Sequence, residues 1–207
     1  MSEPSWQETA ERLFPKILKR DGILKSELSH AEKRLGFSLP APLHAMYRLA
    51  GKRADLHSTH DRLLPPNKLI VVSGALVFYE AHDQSAAWGI QKVDLFKEDP
   101  PVVRALNQPP YAWQSDHDSV SAFFFTQLLW QSVHADPCVR GRATESALAE
   151  VRQRFPEVRL AGCHWDITAA FLGDKAVLLV RGDTLYVGAA SADDLSHATK
   201  GLAVEWS

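Results

Sequence analysis

The hydrophobic period of this chain changes near residue 69, and that change limits the folds open to it. Up to Gly51, apolar residues recur at spacings of three and four. The stripes are Trp6, Ala10, Leu13, Phe14, Ile17 and Leu18, then Leu28, Ala31 and Leu35, then Leu43, Met46, Tyr47 and Ala50. Each is the buried face of an amphipathic helix. From Lys68 to Phe96 the apolar residues come in short β-branched and aromatic runs, KLIVVSG, ALVFYEA and AAWGIQKVDLF, separated by Ser73-Gly74 and by the polar stretch EAHDQSA. Runs of that kind read as strands in meander order, here with strands at 76–80 and 87–93. The predicted class is α+β, with helices around antiparallel strands.

Local signals set the boundaries. Pro15 falls inside the first stripe, so the helix either kinks there or ends before it. Ser26 is a good N-cap for ELSHAEKRL, and Gly36 supplies its stop. Prolines open PAPLHAMYRLAG and Gly51 closes it. Pro100 and Pro101 exclude helix and central strand from EDPPVV, which must be an extended loop. Ser119 can cap SVSAFFFTQLLWQSVHA, an aromatic-rich helix buried on most sides. After it, DPCVRGRA mixes turn formers without periodicity and marks a boundary. The division is thus 1–135, with an extension at 136–207. That extension reads αββα: a helix in TESALAEVRQRF, strands KAVLLVR and TLYVGAAS about Gly182-Asp183, and a helix capped by Ser191.

Composition narrows the function classes. With 207 residues, 45% hydrophobic, the chain can bury a real core. A formal net charge of -2 argues against the uniformly basic surface that direct nucleic-acid binding needs. No stretch approaches the roughly 18 to 20 apolar residues of a membrane-spanning helix, and MSEPSWQETAERLF lacks the cationic, apolar character of a secretory signal. Cys138 and Cys163 form no CxxC pair and read as reduced thiols, so a cytoplasmic location is expected. Charge is unevenly placed, however. Glu80, Asp83, Asp94, Glu98, Asp99, Asp116 and Asp118 face only Lys92, Lys97 and Arg104 between residues 80 and 118, whereas residues 12–34 are predominantly basic. Asymmetry of this kind can orient a charged partner.

Catalytic patterns are weak. His57, His60 and Asp61, with His82 and Asp83 if the fold joins the loops, carry the ligand types for a borderline metal. His-x-x-His in a loop does not set both imidazoles on one helical face, and no third ligand stands at a diagnostic spacing, so neither metal nor cofactor is predicted. Cys163-His164 are adjacent, which seldom allows one to activate the other. Neither GxxxxGK[ST] nor GxGxxG nor GxSxG occurs. Glu98-Asp99 and Asp116/Asp118 lie in polar or proline-rich loops with no apolar pocket evident to tune them. A non-enzymatic role is expected, with a metal-dependent hydrolase as the remote alternative.

The order of motifs is more specific than any one of them. Glu32, Leu35-Gly36, Leu39-Pro40, Tyr47 and Gly51 are followed by Glu80, Gln84 and Trp88, then by Asp99 to Val102, then by Trp113 and the Ser119 to Leu129 segment. This order resembles the SMI1/KNR4 family of the SUKH superfamily, most clearly over residues 27–130. His82-Asp83 stands where that family commonly has an asparagine. The resemblance implies a strongly bent antiparallel sheet packed by N-terminal and central helices, no catalytic residues, and protein binding. The expected role is an intracellular immunity protein that neutralises a cognate toxin domain, often a nuclease in the superfamily; the alternative is a regulatory scaffold for an endogenous protein. Glu80, His82, Asp83, Gln84, Asp94, Asp99, Asp116 and Asp118 are the candidate partner-binding residues, and their acids would suit a basic toxin surface. Oligomeric state is not legible.

Overall fold

The computed structural model describes residues 5–160 and 166–207. Cys163-His164 therefore lies outside the described residues. Along the chain run α1 (Trp6–Leu13), α2 (Lys25–Leu35), α3 (Ala41–Ala50), the short α4 (Ala54–His57), β1 (Arg62–Leu63), β2 (Ile70–Val72), β3 (Ala75–Glu80), β4 (Ala86–Gln91), β5 (Val102–Leu106), β6 (Gln114–His117) and α5 (Val120–Ser132). There follow β7 (Cys138–Arg142), α6 (Glu145–Arg154), β8 (Ile167–Leu172), β9 (Ala176–Arg181), β10 (Thr184–Ala189) and α7 (Ala192–Thr199). The class is α+β, and among the described residues the named strands all pair antiparallel. Two compact units divide the chain: Ile17–Phe124, and the residues up to Lys16 together with Phe125–Ser207.

In the first unit the sheet order is β1-β3-β4-β5-β6, with β2 also paired to β3. Ser73 and Gly74 close the β2–β3 hairpin with φ of 47° and 84°, the doubly positive turn whose twist matches the strands it joins. The pairing of β3 with β4 shifts between Val77 and Tyr79. This bulge turns two successive aromatics, Phe78 and Tyr79, toward Phe123, with ring centroids 5.3 Å and 5.1 Å away. Trp88 joins them at 6.0 Å and is 1% exposed. These edge-on and tilted aromatic contacts are the centre of the unit's core.

The helices obey their local signals with one correction. Gly36 ends α2 in the left-handed conformation, φ 82°, and Glu32 accepts the Leu39 N–H at 2.9 Å across the turn that follows. Ser26, expected as N-cap, lies inside the first turn of α2. The flanking position belongs to Leu24, whose N–H is taken by the Glu27 carboxylate at 3.0 Å. The carboxylate also opposes the positive end of the helix, which the neutral hydroxyl of a serine cannot do. Of the two outcomes open at Pro15, the helix ends first, at Leu13. β4 stops at Gln91, short of residue 93, as the chain turns at Lys92–Asp94.

The second unit holds a four-stranded sheet ordered β7-β10-β9-β8. The hairpin at Gly182-Asp183, α6 and α7 stand where the sequence places them. Thr144 and Ser191 cap the two helices, each hydroxyl accepting a backbone N–H at 3.2 Å. CVRGR, read as a boundary loop, is the edge strand β7, and β8 is a further strand, so the extension exceeds αββα. Gly141 shows why β7 escaped notice: a Cβ there would stand 2.6 Å from the backbone carbonyl oxygen of Glu205, so a glycine is required where a strand pattern would show a side chain. Val151, Phe171, Leu178, Leu185 and Val187 form the core between this sheet and its helices.

Candidate functional site

The register of β3 against β4 decides which candidate residues meet. Glu80 pairs with Ala87, which places residues 81–85 at one end of the hairpin. Residues 92–99 leave β4 at the other end, and a six-residue strand separates the two loops by roughly 17 Å. Asp83 thus lies on one of these loops and Asp94 and Asp99 on the other, at opposite ends of the hairpin.

At the 81–85 end, Glu80 is ion-paired to Arg62, its partner across β1 and β3. Asp83 accepts both the Ser85 hydroxyl (2.6 Å) and the Ser85 N–H (2.9 Å). These bonds hold its carboxyl below the usual range, the hydroxyl contributing most. Gln84 is exposed and takes a positive φ of 60° in the tight turn. His82 is also exposed, but its N–H donates to Asp61 Oδ1 at 3.1 Å.

Asp61 is fully buried at the entrance to β1. The same Oδ1 lies 3.0 Å from His60 Nδ1 and 3.7 Å from His82 Nδ1, and the two imidazole rings stand 4.2 Å apart. One ligand atom from each of His60, Asp61 and His82 falls within 4.8 Å of the others. The sequence left this grouping conditional because the third ligand is 21 residues away and arrives only through the β1–β3 pairing. His57 and Asp83 are not part of it. The His57 ring is buried, lying 3.1 Å from the Ala50 carbonyl through Nε2 and 3.0 Å from the Ser58 hydroxyl through Nδ1. Burial holds its pKa below the ordinary imidazole value.

At the other end, Asp94 pairs with Lys97 at 2.7 Å, and Asp99 accepts the Ser121 N–H at 3.1 Å, opposing the positive terminus of α5. Val120 N–H donates to Pro100 O, which ties the start of α5 to the same loop; Glu98 and Asp118 are exposed. Among them stand two apolar side chains outside the predicted partner-binding set: Val93, 70% exposed, and Phe96, 85% exposed. A signal was there. In KVDLFKED the strand period has lapsed and Phe96 has charged neighbours, so it has no regular face to join.

Asp116 requires a correction. Its place in a polar stretch predicts a partner-facing acid, but it is 7% exposed and belongs to the interior. Its Oδ2 accepts Trp88 Nε1–H at 3.0 Å and His117 Nδ1–H at 2.6 Å. Burial of an indole brings burial of an acceptor for its N–H. Asp116 is therefore part of the core beneath β4, and alternate residues of a short strand cannot be told inward from outward by sequence when both are polar.

The opposite face of the sheet forms a cleft of about 570 Å³ lined by Arg62, Lys68, Val77, Glu80, Asn107 and Tyr111 among others. Tyr111 donates to Asn107 Oδ1 at 2.6 Å and stacks on Trp113, 5.6 Å between centroids. Trp113 Nε1–H reaches the Val72 carbonyl at 3.2 Å and fastens this wall to β2. Comparison with family models, curated proteins and solved structures returned no match for this chain. Among the described residues, no helix is long and apolar enough to cross a membrane.

Proposed function

We propose that this chain is a non-enzymatic protein-binding module of the SMI1/KNR4 type, a cytoplasmic immunity protein that masks a cognate toxin domain. The observation that carries the reading is the loop 92–99, where Phe96 is 85% exposed and Val93 70% exposed beside Asp94, Glu98 and Asp99. A phenylalanine held in water forgoes about 1.5 to 3 kcal/mol of burial. Exposed aromatics surrounded by charge are the usual anchors of protein interfaces. The rim is acidic on balance, Asp94, Glu98 and Asp99 against Lys92 and Lys97, which favours a basic partner, as a nuclease domain with a substrate groove would be. The family resemblance and the helix, helix, meander order support the same reading.

The experiment is affinity capture of the tagged protein from lysate of the source organism, run in parallel with Phe96→Ala and Glu98→Lys. The expected catch is the C-terminal domain of a large secreted protein, toxic when expressed alone and tolerated when co-expressed with this chain. Phe96→Ala is expected to weaken that complex about thirtyfold or more, the loss of an interface anchor worth at least 2 kcal/mol. Capture of housekeeping proteins alone, with no rescue of toxicity, would place the chain among regulatory scaffolds instead.

A further inference from the structure

We infer that His60, Asp61 and His82 form a binding site for a borderline divalent cation, zinc above all, which clips the 81–85 loop to the start of β1. Two imidazoles and one carboxylate are a common zinc donor set, and their ligand atoms already lie within 4.8 Å of one another. Tetrahedral ligands about 2.1 Å from a zinc ion stand roughly 3.4 Å apart, so closure requires a movement on the order of 1 Å.

The residues differ in freedom in the way such a site needs. Asp61 is fully buried and held between His60 Nδ1 and the His82 N–H, which makes it the fixed member. The His60 side chain is 22% exposed, whereas that of His82 is 56% exposed on a turn and can make the adjustment. The exposed side of His82 leaves the remaining coordination position to water or to a partner's side chain.

A consequence reaches the neighbouring residues. His82 precedes Asp83 and Gln84, so an ion on its ring would restrain the turn that presents both. The cation is thereby a ligand that orders a candidate recognition loop, with a role separate from the Phe96 loop at the far end of β4.

The test is calorimetric titration of the metal-stripped full-length chain with zinc, alongside His60→Ala, His82→Ala and, as a control on α7, His197→Ala. The expected result is saturable binding of one ion, weakened roughly tenfold or more by each of the first two substitutions and unchanged by the third. Circular dichroism establishes that the variants are folded, and exposed His82 provides the variant least costly to structure. Cobalt substitution should give the visible absorption of a four-coordinate ion in the wild type and not in His82→Ala. Absence of saturable binding, or binding kept within about twofold in folded His82→Ala, overturns the proposal.

Discussion

Asp116 and His57 show how burial gives one side chain a role that its residue type alone does not announce. Asp116 accepts from both Trp88 and His117, so Asp116→Ala removes a charged acceptor from two buried donors. The expected loss is about 3 kcal/mol, read from urea denaturation, against a change within about 0.5 kcal/mol for exposed Asp118→Ala. His57 acts through pH. Its folded-state pKa lies below the unfolded value of about 6.5, so the unfolded chain takes up the proton first. Stability from this group is whole above about pH 6.5 and is lost as pH falls from there through the folded pKa. Denaturation midpoints at about pH 7.5 and about pH 5 should differ more in the wild type than in His57→Gln.

Elements here are specified by signals of unequal strength. The stripes of α2 and α3, the Ser73-Gly74 turn and the Gly182-Asp183 hairpin were legible because each rests on neighbours in sequence. β5 begins at Val102, directly after the prolines, and is a central strand where EDPPVV predicts an extended loop, because proline restricts only its own position and the one before it. β6 and β7 were not legible either, since QSDH and CVRGR carry no apolar alternation. Both are edge strands held by pairing with β5 and β10, partners supplied from elsewhere in the chain. Gly188 on β10 makes the same point through space. A Cβ there would meet Ser132 O at 2.1 Å, where α5 crosses close to the strand. Gly188→Ala is expected to cost about 3 kcal/mol or more, because a backbone carbonyl cannot move aside as a flexible side chain can. Thermal unfolding of the purified variant would measure it.

At the scale of the molecule, the formal net charge of -2 conceals a local imbalance. Glu80, Asp94 and Asp99 are engaged with Arg62, Lys97 and the start of α5, while Glu98 and Asp118 remain exposed. Long-range attraction to a basic partner should therefore come from the 92–99 end. The expected association rate falls on the order of tenfold between low salt and about 0.5 M salt, with Glu98→Lys lowering the rate and flattening that dependence. Stopped-flow mixing with the captured partner would show it, and a rate indifferent to salt would refute the steering role.

By itself the sequence determined the α+β class, most helices, the central meander and its turns, because these follow from periodicity and from residues with restricted backbone freedom. Tertiary structure alone decided which candidate residues share a place. Register carried Asp83 away from Asp94 and Asp99, an indole drew Asp116 inward, and β1–β3 pairing brought His82 to His60 and Asp61. The physical reason is range. Helix caps and turns are closed by atoms within a few residues, whereas a site is closed by strand pairing and burial, whose free energies depend on the whole fold.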